Sequence, residues 1–295
     1  MRQNGPVTSA TRVPEPPTST VPPRLIATDL DGTLLRDDKT VSERTVAALA
    51  AAEEAGIEVF FVTGRPARWM NVVSDHVHGH GLAICGNGAA VVDLHGEPGT
   101  HRFVKVRELA RENALDAVEL LRDAAPGTVY AVEQTYGFYQ EPTYPKLHME
   151  VPDLRAPAEK LLAQDGPGNG RPVLKLLAYH PELDPDAFLT LARRTVGDRA
   201  AITRSSPSAL LEISGPGVSK ASTLALCCAE RGISAEEVVA FGDMPNDVEM
   251  LTWAGQSYAM GNAHPDAMAA ASGLTVANDE DGVAVVIERI LAERS

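Results

Sequence analysis

Asp29 and Asp31 stand two residues apart at the end of the apolar run Leu25-Ile26-Ala27-Thr28, and Gly32 follows them. Side chains two apart on an extended chain leave it in the same direction. Two carboxylates so placed can divide one reaction between them. The first attacks an electrophilic phosphorus, and the second trades a proton with the leaving oxygen. Carboxylates this close also attract a hard divalent cation, and Mg²⁺ suits one or two carboxylates supplemented by waters and phosphate oxygens. The plainer reading is a turn, since Asp and Gly both favour turns.

Three further segments bear on that choice. Gly242-Asp243 closes the apolar run 238–241, with Asn246 and Asp247 opening the next helix. Acidic residues are favoured in a helix's first turn, which accounts for Asp247 but leaves Asp243 without a partner. A metal beside Asp29 would give it one. Thr63-Gly64 either caps a helix or holds phosphate oxygens with its hydroxyl and neighbouring backbone N–H groups. Lys220 alone reads as a solvated helix residue. Beside a nucleophilic Asp it would neutralise phosphate charge and orient the carboxylate.

These segments need a frame that brings them together. An apolar strand over 25–28 leads to an N-cap at Ser42 and an Ala-rich helix that stops at Gly56. A strand over 57–62, a helix over about 66–77 and a strand over 82–85 come next. The same alternation returns with a helix over 219–232, a strand over 238–241, a helix over 246–254 and a strand over 257–260. A helix from about 265, a short strand near 274 and a last helix over 281–293 complete it. Strands alternating with helices predict a parallel sheet with right-handed crossovers, whose ligands bind outside the carboxyl ends of the strands.

The middle differs. Residues 106–211 show two helical stretches, near 106–124 and 185–196, and strand-like runs at 129–133, 138–139, 173–179, 201–203 and 209–213. Five of the six tyrosines lie there. The expected fold is therefore α/β, a Rossmann-like doubly wound parallel sheet core with an inserted α+β domain. The expected boundaries are a tail over 1–22, core over 23–105, insert over 106–211 and core again over 212–295.

Composition narrows the partners. The 295 residues carry a net charge of -14 with no block of Lys and Arg, which argues against nucleic acid. A small anionic substrate stays open, because a few fixed cations and a metal can override the global sign locally. No run approaches the ~20 apolar residues of a membrane span. The first 22 residues, rich in Pro, Ser and Thr, lack the apolar stretch of a secretory signal and read as disordered. Cys85, Cys227 and Cys228 form neither a disulfide framework nor a metal-site spacing. Buried small thiols fit a cytoplasmic protein.

The segments Asp29-Leu30-Asp31-Gly32-Thr33-Leu34-Leu35, Thr63-Gly64-Arg65, Ile84-Cys85-Gly86-Asn87-Gly88-Ala89, Ser219-Lys220-Ala221 and 242–251 occur in an order that resembles the haloacid dehalogenase superfamily, its Cof-type (IIB) subfamily in particular. The resemblance spans residue 24 to the C-terminus. It implies a Mg²⁺-dependent phosphoric monoester hydrolase, a phosphatase acting on small esters such as sugar, vitamin-related or nucleotide-related phosphates, and it makes the insert a cap. It implies Asp29 as nucleophile and metal ligand, and Asp31 as general acid/base with its backbone carbonyl on Mg²⁺. Thr63, Gly64 and Lys220 hold the phosphoryl group, Asp243 is a metal ligand, and Asn246 and Asp247 support phosphate and metal. Met244-Pro245 departs from the small or acidic residues expected there, which touches loop shape more than chemistry. A phosphosugar mutase of the same superfamily and a non-catalytic binding module are the alternatives. The cap is expected to act as a lid, hinged at Gly86-Asn87-Gly88 and Gly215-Pro216-Gly217, with Tyr130, Tyr136, Tyr139, Tyr144 and Lys175 as candidate readers of the ester. Nothing in the sequence selects the ester or the oligomeric state.

Overall fold

The computed structural model describes residues 21–74, 81–95, 102–147, 151–204 and 208–294. The tail expected over 1–22 lies outside them but for its last two residues. The chain runs β1 (Leu25–Thr28), α1 (Glu43–Glu54), β2 (Glu58–Val62), α2 (Asn71–Ser74), β3 (Leu82–Cys85), β4 (Ala90–Asp93) and β5 (Arg102–Val106). It continues through α3 (Arg111–Ala124), β6 (Val129–Gln134), β7 (Gly137–Gln140), β8 (Leu154–Arg155), α4 (Ala158–Leu161), β9 (Val173–Tyr179), α5 (Pro185–Val196), β10 (Ala201–Thr203) and β11 (Leu210–Ser214). It ends with α6 (Lys220–Glu230), β12 (Val238–Gly242), α7 (Val248–Trp253), β13 (Gln256–Ala259), α8 (Pro265–Ala270), β14 (Gly273–Leu274) and α9 (Gly282–Arg294).

Two sheets result. The first has the order β14-β13-β12-β1-β2-β3-β4-β5, and the second β10-β11-β9-β6-β7-β8. Every residue of β1 is buried, as a strand covered by helices on both faces requires. From β1 the chain winds outward through β2 and β3, and after the insert it winds the other way through β12, β13 and β14. The direction of winding reverses between β1 and β12, where an open sheet leaves a crevice at its carboxyl edge. Parallel register sets Thr28 level with Phe241 on one side and Phe61 on the other. The residues just past β12, β1 and β2 thus emerge side by side, about 4.8 Å apart per strand.

Several expectations need correction. The core sheet is mixed: β4 pairs antiparallel with β3, and β5 with β4. These strands escaped notice because Gly and His interrupt the apolar runs around them. Hence the chain enters the second sheet's region only after β5, and Gly86-Asn87-Gly88 is a buried turn inside the core instead of a hinge before the insert. At the far boundary, β11 stays in the second sheet through Ser214, three residues past the expected 211. The helix expected from 106 starts at Arg111, since Arg102–Val106 is strand. The one expected over 66–77 is a 3₁₀ turn at Ala67–Trp69 followed by the single turn of α2. Its expected end, at 75–77, lies outside the described residues.

Candidate active site

Asp29 leaves the end of β1 with its backbone N–H bonded to the Phe241 carbonyl, which ties the turn that carries it to β12. The turn closes through Gly32, whose φ is +79°. A Cβ there would lie 2.3 Å from Asp243 Oδ2, so both the backbone conformation and the close approach of Asp243 call for glycine. Asp243 is held from the same turn, because Thr33 Oγ1 donates to its Oδ1 at 2.8 Å.

Lys220 enters at the first position of α6, which Ser219 caps by accepting from the Ser222 N–H. The side chain is 1% exposed, and Nζ donates to Asp29 Oδ1 at 2.5 Å and to Asp247 Oδ1 at 2.7 Å. Asp247 spends its other oxygen on the backbone N–H groups of Asp243 and Met244. It therefore orients Lys220 and fixes the loop that carries Asp243. Burial pulls the Lys220 ammonium down, but the charges of Asp247 and Asp29 outweigh it and hold its pKa above the ordinary value.

Burial pushes the Asp29 carboxyl well above its ordinary value, with Lys220 opposing and the charges of Asp247 and Asp243 adding to the rise. Asp243 is pushed up to about 6, first by burial and then by Asp247. Carboxylate oxygens of Asp29, Asp243 and Asp247 lie within 4.8 Å of one another, and among the described residues Lys220 is the one cation that bonds into this group. A hard-oxygen cluster short of positive charge fits a divalent cation. The side chain of Asp31 stands outside it, and Arg65 grips it through Nε and Nη2 at 2.5 and 2.7 Å. Lys39 adds a bond at 3.0 Å. Burial raises the Asp31 pKa, yet these two cations outweigh it and hold the carboxyl below its ordinary value.

Thr63 lies just past β2. Its Oγ1 accepts from the Arg65 N–H at 3.0 Å, and a hydroxyl that accepts keeps its own hydrogen for a further bond. Gly64 passes so close to Asn87 that a Cβ would meet Asn87 Oδ1 at 3.1 Å. Asn246 donates to that same oxygen at 3.1 Å, while its own Oδ1 is buried without a partner among the described residues. Asp29, Asp31, Thr63, Gly64 and Asn246 all line one cavity of about 610 Å³, well inside the range of small-molecule sites. Lys220, Asp243 and Asp247 stand behind its wall.

The second sheet forms the opposite wall, and here the sequence-based candidates divide. Tyr144 and Lys175 line the cavity. Tyr130 does not: it is fully buried among the insert's own apolar residues and donates to the Val118 carbonyl. Tyr139 belongs to the same cluster. Tyr136 is 62% exposed and lines a separate cavity of about 360 Å³. Aromatic type alone does not reveal which face of a strand a residue takes. Sequence reasoning gave no role to Arg65, Lys39, Arg68, Asn87, Glu133, Gln140 or Glu212, although Arg65 and Asn87 stand within segments already singled out. The strand residues among them carry no local signal.

The model of the haloacid dehalogenase-like hydrolase family matches residues 26–287. A 5-amino-6-(5-phospho-D-ribitylamino)uracil phosphatase of Bacillus subtilis is 31% identical over 268 residues, covering 89% of this chain and 95% of that protein. An HMP-PP phosphatase of Klebsiella pneumoniae is 29% identical, over 87% of this chain and 90% of its own length. Among solved structures, a haloacid dehalogenase-like hydrolase from Bacteroides thetaiotaomicron superposes with a TM-score of 0.70 at 27% identity, covering 91% of this chain and 99% of that one. A phosphatase of the same superfamily and organism shares the fold with a TM-score of 0.76 at 24% identity, over 96% and 99% of the two chains.

Proposed function

The chain belongs to the haloacid dehalogenase-like hydrolases, and from that premise we propose a Mg²⁺-dependent phosphatase that hydrolyses small phosphate monoesters through a phosphorylated Asp29. The observation that carries this reading is the Asp29 carboxylate. It stands at the sheet's switch point, on a ligand-sized cavity, with one oxygen bonded to Lys220 at 2.5 Å and no hydrogen bond from the described residues reaching the other. That second oxygen is the attacking atom.

In the first step it bonds to phosphorus as the ester P–O bond breaks, and Asp31 gives a proton to the departing oxygen. In the second, water attacks the same phosphorus, Asp31 takes its proton, and the bond to Asp29 breaks to release phosphate. The pairs with Arg65 and Lys39 favour the Asp31 carboxylate, the form the second step needs. An arriving dianion favours the acid needed first, because a like charge raises a carboxyl pKa. Thr63, the Gly64 region, Lys220 and Asn246 steady the phosphoryl oxygens, and Asp247 keeps Lys220 in place. Asp29, the backbone carbonyl of Asp31 and Asp243 would hold Mg²⁺, which when bound shields the negative charge gathered between phosphate and carboxylates.

The second sheet acts as a cap over this cavity, excluding water and contacting the leaving group. Its apolar and aromatic walls, with Phe138, Tyr144, Leu177 and Leu210 beside the polar Glu133 and Gln140, favour an ester whose leaving group carries a ring with hydrogen-bond donors. The relative named as a 5-amino-6-(5-phospho-D-ribitylamino)uracil phosphatase points the same way. A panel of hexose, nucleotide and pyrimidine-bearing phosphate esters assayed for released phosphate tests the proposal. Release without added sugar bisphosphate excludes a mutase, and no release from any ester with Mg²⁺ present ends the phosphatase reading.

A further inference from the structure

Lys175 of β9 and Glu212 of β11 form an ion pair in which each residue is 5% exposed. Burying such a pair is costly unless further hydrogen bonds satisfy both groups. Both find such bonds on the core. Lys175 Nζ donates to the Gly64 carbonyl at 2.8 Å, and Glu212 Oε2 accepts from Asn87 Nδ2 at 2.8 Å.

Each bond is the first link of a short chain. The Gly64 carbonyl and the Arg65 N–H belong to one planar peptide unit, and that N–H donates to Thr63 Oγ1. Lys175 therefore sets the plane that orients the Thr63 hydroxyl. On the other arm, Asn87 sits in the left-handed region at φ 57° and offers Oδ1 to Asn246 Nδ2. Glu212 therefore sets the Asn87 amide that holds Asn246. The two chains start from one ion pair on the cap and end at Thr63 and Asn246, two side chains that line the cavity beside Asp29.

We propose that Lys175 and Glu212 are positioning residues through which the docked cap assembles the phosphate cradle of the core. The inference rests on the phosphatase reading of that cradle. It reassigns Lys175, expected from sequence to read the leaving group, to work that is the same for every ester. It also makes cap docking and cradle geometry one event, since separating the sheets removes both bonds together.

The test compares wild type with Lys175→Met, Glu212→Leu, Glu212→Gln and the double variant Lys175→Met/Glu212→Leu. The double variant removes both charges and so leaves neither one buried and unpaired, which keeps the fold testable if the single variants unfold. With the fold confirmed by circular dichroism, the double variant should lose kcat on the order of 10²-fold, the scale expected for a misplaced cradle. The factor should be the same for esters of unlike leaving groups. Affinity for inorganic phosphate, titrated by calorimetry with Mg²⁺ present, should fall about tenfold or more. Glu212→Gln, which still offers Asn87 an acceptor, should retain more activity than Glu212→Leu. Losses that differ from ester to ester would overturn the proposal in favour of direct reading of the leaving group, and unchanged phosphate affinity in the folded double variant would overturn it outright. Wild type that binds phosphate but hydrolyses no ester would refute the phosphatase reading alone, with the titration still deciding this inference.

Discussion

The two walls of the cavity are built differently. The core presents its polar groups at strand ends: Asp29 after β1 and Thr63 after β2 on the cavity, with Asp243 just past β12 behind its wall. The cap presents its own from strand interiors, with Glu133 on β6, Lys175 on β9 and Glu212 on β11, beside the apolar Leu177. At a strand end the backbone itself joins the site through loop N–H groups and glycine turns, which few sequences supply. On a sheet face only side chains project, and nearly any residue of the right parity can be exchanged. The core wall is thus suited to one invariant task, holding a phosphoryl group, and the cap wall to a variable one. Lys175 and Glu212 are exceptions, since they lie on the cap and bond to the core, and Glu133 joins them through its ion pair with Arg68.

The largest expected effect lies on the core wall. Asp29→Asn removes the carboxylate proposed to attack, and the amide is too poor a nucleophile to take its place, so turnover should fall on the order of 10⁴-fold or more. The loss should be the same for every ester in the panel, as measured by released phosphate. Substantial activity in purified, folded Asp29→Asn protein would place the nucleophile elsewhere and dissolve the division of labour between the walls.

Next in size is the response to metal. In the metal-free protein the Asp243 carboxyl is raised from 3.8 to about 6. A raised carboxyl favours the folded state most when protonated, so its contribution is complete below about pH 4 and lost as pH rises through about 6. Mg²⁺ competes with that proton for the same oxygens. Added Mg²⁺ should therefore raise Tm more at pH 7 than at pH 5, with a stabilisation at pH 7 of about 2.7 kcal/mol when free Mg²⁺ is about a hundredfold above Kd. Equal shifts at the two pH values would mean that Asp243 does not hold the ion.

The same contrast explains what was legible in the sequence. Asp29-x-Asp31-Gly32 and Gly242-Asp243 announce themselves because a turn, a glycine and two carboxylates coincide at the end of an apolar run. In the cap, β9 and β10 were legible as short strand-like runs and α5 as a helical stretch that opens at Pro185. Which strand face meets the core was not, because it depends on how β6 and β9 twist and on which side α3 and α5 cover. Tyr130 and Glu133 lie three apart on β6 and so take opposite faces, one toward the cap's apolar interior and one toward the cavity. The antiparallel strands β4 and β5 were missed for a different reason: β4 is a largely buried run of four residues that only the turn Gly86-Asn87-Gly88 and Ala89 separate from β3, and the edge strand β5 mixes charged and apolar residues without a clear period.

A smaller, selective effect should come from the cap face. Leu177 lines the cavity from the middle of β9, and Leu177→Phe adds bulk without charge. It should lower kcat/KM for esters of large leaving groups about tenfold relative to small ones, the range that a few methylenes in a pocket can discriminate. Phosphate affinity should stay unchanged. A loss of equal size for every ester would mean that the cap face does not select the leaving group.

The smallest effect belongs to the cap's interior, where an aromatic residue was expected to read substrate and does not. The Tyr130 hydroxyl donates to the Val118 carbonyl at 3.2 Å, and the Arg122 guanidinium lies 5.1 Å from the ring centroid. Tyr130→Phe keeps the ring, its packing and the cation over its face, and gives up the hydroxyl's hydrogen bonding. A buried neutral hydrogen bond contributes about 1 kcal/mol, and the loss should appear as a modest drop in Tm. Because Tyr130 sits behind β6 and lines no part of the site, kcat and KM should match wild type for every ester, including those that Leu177→Phe separates. An ester-dependent change in Tyr130→Phe would mean that the cap's interior packing is transmitted to its binding face, and that the face cannot be treated as an independent, exchangeable surface.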